Sequence, residues 1–313
     1  MAEKIATREA YGNALAEFGE KYDIVVLDAD LSKSTKTANF EKKFPERFIN
    51  CGIAEGNMMA VAAGIATTGK VVFASSFAMF AAGRAYEQIR NAIGYPHLNV
   101  KIGATHAGIT VGEDGATHQC NEDIGIMRTI PGMTIISPAD AVEGRAAVEA
   151  AILNDGPFYL RFGRLNVPVL YDKETYKFEL GKGVQISEGK DATIIATGIM
   201  VAEAVKAREI LLAEGIDSAV VNIHTIKPID RDIIVKAAQK TGAIVTAEEH
   251  NIIGGLGSAV AEVLTEDMPC PMKRVGIKDE FGRSGKADEL MKIFGITAED
   301  IADKIKAVIK MKK

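Results

Sequence analysis

Residues 7–27 read TREAYGNALAEFGEKYDIVVL, and this stretch contains the two periodicities on which the fold depends. Threonine is a residue type that caps helix N-termini, and apolar side chains recur after it at near-helical spacing, so the pattern predicts a helix that begins near Thr7. The run Ile24–Leu27 is short, apolar and rich in β-branched residues, which predicts a buried strand. A helix followed by such a strand is typical of an α/β protein.

The same alternation continues through both halves of the chain and predicts a parallel sheet with helices on both faces in each half. Further strands are predicted at Arg47–Asn50, Val71–Phe73, Asn99–Ile102, Thr134–Ile136, Phe158–Arg161, Ala192–Thr197, Ser218–Ile223, Ala243–Ala247 and Arg274–Ile277. Further helices are predicted at about Gly56–Thr67, Ala78–Ile93, Val201–Ala213, Arg231–Lys240, Gly255–Leu264 and Thr297–Lys313. The periodicity fails from Gly163 to Lys190, which we interpret as a connection between two α/β units.

Composition limits the class of protein. The 313 residues include 37 Lys and Arg against 42 Asp and Glu, and a net charge of −5 does not favour nucleic-acid binding. Three widely spaced cysteines, without a CxxC pair, argue against a disulfide framework or a zinc site and favour a reducing cytosol. The N-terminal residues do not resemble a signal peptide, so we expect a cytoplasmic protein.

The strongest chemical signal is the loop GEDGATHQ at residues 112–119, with His106 six residues before it. It follows the predicted strand Asn99–Ile102, and ligand sites of open α/β sheets lie at the carboxyl ends of strands. Polar loops of this length inside a domain are more often functional than connecting. The alternative is a surface loop that binds calcium or an anion, in which the histidines only cap backbone groups.

A carboxylate and an aromatic pair form the next signals. Glu55 precedes a nearly apolar stretch, where desolvation would raise its pKa and a helix N-terminus would oppose the rise. Its alternative interpretation is an ordinary first-turn glutamate. Phe77 and Phe80 lie three residues apart, as on one helical face, and such spacing is more often core or subunit interface than a cofactor site.

Charged and polar residues also lie near predicted strand ends and helix starts, where arginines could fork around a phosphate. These residues are Arg8, Asp28, Asp30, Ser34, Arg161 and Arg164. The run GGLGSA at residues 254–259 does not have the complete dinucleotide fingerprint, and neither a Walker loop nor a His-Glu-x-x-His motif occurs.

An ordered set of motifs extends along almost the whole chain. The set comprises ATR at residues 6–8, DADLSKS at 28–34, GIAE at 52–55, FAMFAAG at 77–83, His106 with GEDGATHQ at 112–119, and Arg161. It resembles the C-terminal half of a transketolase, specifically the second subunit of the two-gene form of many prokaryotes. The resemblance implies an α/β fold in which residues 1 to about 180 bind the aminopyrimidine ring of thiamine diphosphate and residues 190–313 form the smaller transketolase C-terminal domain.

The resemblance also implies a partner and an activity. The family's diphosphate-binding motif has no match here, so an N-terminal transketolase subunit would supply that domain and hold Mg²⁺ or a similar ion. The two chains would form a heterotetramer in which this chain pairs with its own copy around residues 80–90. The implied reaction transfers a two-carbon glycolaldehyde unit from a ketose phosphate to an aldose phosphate.

Individual roles follow from the same resemblance. Glu55 is the expected proton-relay group at the aminopyrimidine, and Phe77, Phe80 and Asp30 complete the cofactor contacts. The substrate contacts are expected from Arg8, Ser34, His106, Asp114, His118 and Arg161, with His106 and His118 as catalytic histidines and no metal ligand in this chain. The chain has HAG at residues 106–108 and AEG at 54–56 where full-length transketolases have other residues, so the sugar preference is open.

Four alternatives compete with this interpretation. The second half of a deoxyxylulose phosphate synthase and the β subunit of a 2-oxo acid dehydrogenase share the cofactor and fold, but their typical motifs match less well at residues 113–119. A non-catalytic scaffold subunit would not need Glu55, His106, Asp114 and His118 together. A dinucleotide-binding enzyme depends only on the incomplete glycine run near Gly254.

Overall fold

A seven-stranded sheet and a five-stranded sheet organise the chain. They are seen in a computed structural model that describes residues 3–312. Elements are numbered in chain order. The strands of the first part are β1 (Lys4–Ala6), β2 (Ile24–Asp28), β3 (Phe48–Asn50), β4 (Val71–Phe77), β5 (Val100–Thr105), β6 (Thr134–Ile136), β7 (Phe158–Arg161) and β8 (Asn166–Pro168). Its helices are α1 (Thr7–Phe18), α2 (Ser32–Thr35), α3 (Ala38–Lys43), α4 (Glu55–Ala66), α5 (Tyr86–Gln88), α6 (Asp123–Arg128) and α7 (Ala141–Leu153).

The second part continues the alternation. Its strands are β9 (Val184–Ser187), β10 (Ala192–Ala196), β11 (Ser218–Asn222), β12 (Thr225–Lys227), β13 (Ile244–Asn251) and β14 (Met272–Ile277). Its helices are α8 (Met200–Ala213), α9 (Arg231–Thr241), α10 (Leu256–Asp267), α11 (Ala287–Ile293) and α12 (Ala298–Ile309). Two short 3₁₀ segments, Pro45–Arg47 and Ile109–Val111, and two π-helical segments, Met79–Arg84 and Ile89–Gly94, complete the elements.

The large sheet has the order β12-β6-β7-β5-β4-β2-β3, and every pair is parallel except β12 with β6. Apolar clusters cover both faces: one contains Tyr11 of α1 and Val148 of α7, and the other contains Met58 of α4. The predicted parallel sheet with helices on both faces is therefore confirmed. Strand β12 was not predicted, and it joins the second half of the chain to the first sheet.

The smaller sheet has the order β14-β13-β10-β11-β9 and is parallel except for β9 at its edge. The segment predicted as a connection therefore contributes β9 to this sheet. It also contributes β8, which pairs antiparallel with β1. Both strands are short and lie at edges, so their sequences show little of the alternation that marks a strand buried on both faces.

Two central strands extend further than predicted, because small residues continue them. β4 runs to Phe77 and β5 to Thr105, with Ser75 opposite Gly103 in the parallel register. The ring of Tyr11 lies against this point: its hydroxyl is 2.7 Å from Ser75 Oγ, and a Cβ at Gly103 would lie 2.0 Å from the hydroxyl. The small residues are thus required by close packing of α1 on the sheet.

Three local predictions need correction. Phe77 and Phe80 do not share a helix, because Phe77 ends β4 and Phe80 lies in the π-helical segment Met79–Arg84. The helix α1 begins at Thr7 as predicted, but Thr7 is its first residue and not its cap, and the Thr7 hydroxyl accepts a hydrogen bond from the Gly163 N–H at 2.8 Å. The final helix ends at Ile309, and Thr297 precedes it in a capping box with Asp300. The predicted end at Lys313 lies outside the described residues.

Between residues 3 and 312, no helix is both long and apolar enough to span a bilayer. Within the same range, no group of three or more His, Cys, Asp and Glu side chains is placed to hold a metal ion.

Candidate active site

The candidate residues converge where the central strands of the large sheet end. Glu55 begins the helix that follows β3, Phe77 ends β4, and His106 follows β5. Because parallel strands present their carboxyl ends at one edge, these three side chains reach the same side of the sheet.

Glu55 is the first residue of α4, and its side chain is 1% exposed. Arg84 Nη1 donates a hydrogen bond to Glu55 Oε2 at 2.8 Å, and Ser76 Oγ lies 3.5 Å from Oε1. Burial of a carboxylate is unfavourable unless it is paired, and Arg84 supplies the partner of Glu55. Glu55 is therefore a first-turn glutamate and a buried one at the same time.

A column of aromatic rings lies beside this carboxylate. The Phe77 and Phe80 ring centroids are 5.8 Å apart with planes inclined by 15°. The guanidinium carbon of Arg84 lies 4.7 Å from the centroid of Phe80. Phe77 is buried and Phe80 is half-buried, so the column reaches the protein surface at Phe80. Such a surface favours stacking with a planar, electron-poor ring.

His106 packs on the other end of the column. Its ring centroid is 3.8 Å from that of Phe77, with planes inclined by 24°. Arg8 Nη1 lies 3.2 Å from His106 Nε2, and Thr105 Oγ1 lies 2.9 Å from Nδ1. A guanidinium can only donate, so Nε2 is the acceptor and the proton of the neutral ring is on Nδ1. His106 has a φ of 56°, in the left-handed region, which costs energy in most residues.

The surroundings keep the imidazole of His106 uncharged. Burial lowers its pKa to about 3, and the nearby charges of Arg8, Arg164 and His118 act in the same direction. His106 can accept a hydrogen bond at neutral pH, but it cannot store a proton there.

His118 completes the aromatic group from the opposite arm of the loop. Its ring meets Phe80 edge-on, with centroids 5.3 Å apart and planes inclined by 72°. Thr117 Oγ1 lies 3.0 Å from His118 Nδ1, which orients the ring and leaves Nε2 without a protein partner among the described residues. The half-buried His118 thus lies near His106 but in a wetter position.

Two arginines border a cavity of about 340 Å³ next to His106. Arg8 Nη1 also donates to the backbone carbonyl of Ser34 at 2.9 Å, and Arg164 donates to the carbonyl of Val111. Burial and the charge of Arg164 lower the pKa of Arg8. Arg8 Nε is buried without a hydrogen-bond partner among the described residues. Two neighbouring guanidinium groups are typical of an anion site, and the exposed Glu113 carboxylate, which lies 3.5 Å from Arg164 Nη1, also lines this cavity.

Arg161 is the exception among the predicted substrate residues. It is 6% exposed, and its Nε donates to Asp123 Oδ2 at 2.8 Å in a buried ion pair. The last residue of β7 points between the two sheets, whereas Arg164, three residues later, has left the strand and points to the cavity. The buried position of Arg161 therefore does not favour the predicted contact with substrate, whereas Arg164 lines the cavity.

The remaining two predicted residues are exposed. Asp30 has a φ of 64° and accepts a hydrogen bond from Asn50 Nδ2 at 3.1 Å. Asp114 lies at the tip of the loop between residues 112 and 119. The nearby Asp28 is buried and accepts hydrogen bonds from Leu31 N, Thr35 Oγ1 and Thr37 Oγ1, so its role is to hold this turn.

The structure therefore brings together most of the predicted site. The residues that meet along the column or its cavity are Glu55, Phe77, Phe80, His106, His118 and Arg8, with Ser34 through its carbonyl. Arg84 was not predicted, although it directly follows the motif FAMFAAG at residues 77–83. A lone arginine gives no signal in a sequence, because its partner Glu55 is 29 residues away.

Comparison with known proteins agrees with this geometry. The family model for the transketolase pyrimidine binding domain matches residues 3–169, and that for the transketolase C-terminal domain matches residues 181–301. The chain belongs to the transketolase family. Members of this family generally depend on thiamine diphosphate, and the α/β fold class predicted from the sequence is confirmed.

Three relatives define its place in the family. A transketolase C-terminal section of Methanocaldococcus jannaschii is 55% identical over 95% of this chain and 94% of its own length. A 6-deoxy-6-sulfo-D-fructose transketolase subunit of a Clostridium species is 46% identical over 94% of this chain and 91% of its own. A solved split-gene transketolase, described as an inactive beta4 tetramer, has a TM-score of 0.93 and 54% identity over 99% of this chain and 100% of its own. The chain is thus a split transketolase-family C-terminal subunit.

Proposed function

We propose that this chain, with an N-terminal partner subunit, transfers a two-carbon glycolaldehyde unit from a ketose phosphate to an aldose phosphate. The observation that supports the proposal most is the buried Glu55 beside the Phe77–Phe80 column. The two rings of this column also contact both candidate histidines. A carboxylate, an aromatic surface and two imidazoles in one place suit a cofactor ring at one end and a sugar at the other.

The residues fit thiamine diphosphate. When bound, this cofactor supplies the electron sink that breaking a carbon–carbon bond beside a carbonyl requires. Glu55 offers a buried acceptor to a ring nitrogen of the aminopyrimidine and relays a proton there. Phe77 and Phe80 cover the ring and exclude water. Asp30 is proposed to contact the cofactor at the exposed edge of the site. Arg84 must yield at least part of its hold on Glu55 as the ring enters.

The sugar is proposed to lie between the histidines and the arginines. His106, which stays neutral and accepts a hydrogen bond from Arg8, orients that guanidinium toward the sugar phosphate, and the wetter His118 exchanges a proton with the reacting oxygen. Asp114, at the tip of the loop, accepts a hydrogen bond from a substrate hydroxyl. Arg8 and Arg164 bind the terminal anion, with Ser34 beside Arg8.

The N-terminal partner is proposed to hold the diphosphate and Mg²⁺ or a similar ion. The solved relative described as an inactive beta4 tetramer supports this division, because that protein is a tetramer without activity. We propose a heterotetramer in which copies of this chain pair around residues 80–90, with residues 1–180 as the pyrimidine-binding domain and residues 190–313 as the C-terminal domain.

A second candidate substrate has specific support. The Clostridium relative acts, by its name, on a sulfo-sugar, so the anion between Arg8 and Arg164 can be a sulfonate in place of a phosphate. Both groups present three oxygens to arginine donors, and the site geometry does not separate them.

The test is two-carbon transfer by the reconstituted complex. Xylulose 5-phosphate and ribose 5-phosphate are supplied with thiamine diphosphate and Mg²⁺, with and without the partner, and 6-deoxy-6-sulfofructose replaces the donor in a second series. Sedoheptulose 7-phosphate should form only in the mixture and disappear with Glu55→Ala. Glu299→Gln, an exposed first-turn glutamate of α12, is the control that should keep activity.

Other outcomes would replace the proposal. Consumption of pyruvate by the complex would indicate a deoxyxylulose phosphate synthase or a 2-oxo acid dehydrogenase. Full activity of Glu55→Ala would exclude Glu55 as the relay group.

A further inference from the structure

The loop that carries both candidate histidines is closed on itself. At its base the Gly108 N–H donates to the Cys120 carbonyl at 2.8 Å. Inside it, Gln119 Nε2 donates to the carbonyls of Ile109 and Gly112 at 3.1 Å each. These bonds fix the shape of the loop. Gln119 Nε2 also donates to the Arg283 carbonyl at 3.0 Å, and the Ala107 N–H donates to the Phe162 carbonyl at 3.2 Å, so the two ends of the loop are held, and the contact of its middle with the smaller sheet is a separate one.

One carboxylate of the smaller sheet lies directly under this loop. Glu249 of β13 is 3% exposed, and its Oε1 accepts a hydrogen bond from the Thr110 N–H at 2.7 Å. Gly108 touches the same group, because a Cβ at that position would lie 2.2 Å from Glu249 Cδ. The backbone of the loop therefore rests on the carboxylate, with no side chain between them.

The other end of Glu249 is held in place. Arg161 Nη2 donates to the Glu249 backbone carbonyl at 2.9 Å, and Arg161 Nε donates to Asp123 of α6 at 2.8 Å. Arg161 Nη2 also lies 3.4 Å from the Cys120 carbonyl at the loop base. The buried arginine thus joins β13, α6 and the loop into one unit.

A shift of Thr110 would also move the residues that are proposed to bind the substrate. The carbonyl of the next residue, Val111, accepts a hydrogen bond from Arg164, and His106 is four residues away on the arm that contacts Arg8. Displacement of such groups by about 1 Å can cost about 10²-fold in rate.

We propose that Glu249 is a positioning residue. By accepting the hydrogen bond from the Thr110 N–H, it sets the position of the histidine loop and of Arg164 relative to the substrate. This assigns to the C-terminal part of the chain a function in substrate binding, and it rests on the proposed two-carbon transfer. The length of the side chain matters, and its charge does not. Burial raises the pKa of Glu249 to about 7 despite the charge of Arg161, and an oxygen of the protonated group still accepts a hydrogen bond.

Three substitutions in the reconstituted complex separate length from charge. Glu249→Gln keeps the length and an acceptor oxygen without the charge, Glu249→Asp keeps the charge on a shorter side chain, and Glu249→Ala removes both. We expect KM for xylulose 5-phosphate to rise about tenfold or more in the Asp and Ala variants, with thiamine diphosphate affinity within about twofold, and Gln to restore KM to within about threefold.

The neighbouring Glu248 provides a matched control. It is buried on the same strand, but it accepts from Leu256 N and Gly257 N at the start of α10, away from the loop. Glu248→Ala should lower the melting temperature but leave KM for xylulose 5-phosphate at the wild-type value.

A second readout does not need activity. Hydrogen exchange at the Thr110 amide should accelerate about tenfold or more in Glu249→Ala and Glu249→Asp and remain slow in Glu249→Gln. An unchanged KM and unchanged exchange in Glu249→Ala would overturn the proposal, as would an Asp variant that functions better than the Gln variant. If the wild-type complex transfers nothing, the proposed function fails, and the exchange experiment still decides the role of Glu249.

Discussion

Arg84 donates to the buried carboxylate of Glu55 at 2.8 Å while its guanidinium lies 4.7 Å from the ring centroid of Phe80. A planar cation thus makes, in the chain alone, the two contacts proposed for the aminopyrimidine ring: a hydrogen bond to Glu55 and a stack on Phe80. Glu55 is 1% exposed, and the side chain of Arg84 is 52% exposed, so solvent screens the pair only from one side.

The first prediction concerns the strength of this pair. Removing one partner leaves the other group without compensation, whereas removing both restores balance, so a double-mutant cycle of Glu55→Gln and Arg84→Met should show coupling. We expect a coupling free energy of about 0.5–3 kcal/mol, nearer the lower end because Arg84 is half-exposed. Urea unfolding of the chain alone measures it. Additive effects of the two substitutions would contradict the prediction.

The second prediction separates the two arginines that lie three residues apart. Arg164→Ala should raise KM for the ketose phosphate about tenfold or more with little change in stability, because a charge-assisted hydrogen bond is lost at an open cavity. Arg161→Ala should instead destabilise the fold by about 3–5 kcal/mol, because Asp123 is left as a buried, unpaired charge. Steady-state kinetics and urea unfolding of both variants provide the test. An Arg161→Ala variant with normal stability and a raised KM would reverse the assignment.

These two arginines also show which parts of the fold and of the candidate site can be predicted from the sequence. The patterns at Thr7–Phe18 and Ile24–Leu27, repeated along the chain, were sufficient for the α/β class, because the spacing of apolar residues in a helix differs from the short apolar run of a buried strand. The resemblance supplied the candidate site residues, most of which the structure brings together. It did not separate Arg161 from Arg164, since the direction of a side chain depends on where β7 ends, and strand ends are poorly marked in a sequence.

Contacts between distant segments were the other part that could not be predicted. Glu249 reaches the loop across 139 residues of chain, and β12 joins a sheet whose other strands precede it. A short strand such as β12 contains too few residues for a periodicity, and only the folded neighbours supply its partners.

The third prediction concerns pH and stability. The pKa of His106 falls to about 3 in the folded protein from the ordinary value of 6.5, chiefly through burial. Between these values the unfolded chain binds the proton and the folded chain does not, so this histidine lowers the free energy of unfolding as pH falls below 6.5. The slope contributed by one such group approaches about 1.4 kcal/mol per pH unit.

Comparison with His106→Asn isolates this effect. The variant should lose stability less steeply than the wild-type chain between pH 6 and pH 4, as measured by urea unfolding at each pH. Buried carboxylates act in the opposite sense, since the pKa values of Glu143 and Glu248 rise to about 7, but they are common to both proteins and cancel in the difference. Parallel curves for wild type and His106→Asn would exclude a buried neutral imidazole.

The last prediction concerns the surface on which the partner subunit docks. Ile53 is 78% exposed and lies two residues before Glu55, in the turn between β3 and α4. We expect a large apolar side chain beside the carboxylate proposed to bind the cofactor to be covered by the proposed partner, because its burial removes apolar area from water. Ile53→Asp should weaken partner binding about tenfold or more and lower activity at limiting partner concentration, and excess partner should restore the activity.

Leu153→Asp, at a similarly exposed leucine on the end of α7, is the matched control and should bind like wild type. Calorimetric titration gives the affinity, and light scattering of each mixture reports whether a heterotetramer forms. Equal affinities for the Ile53 and Leu153 variants would place the partner on a different surface, and a monomer in every mixture would refute the proposed assembly.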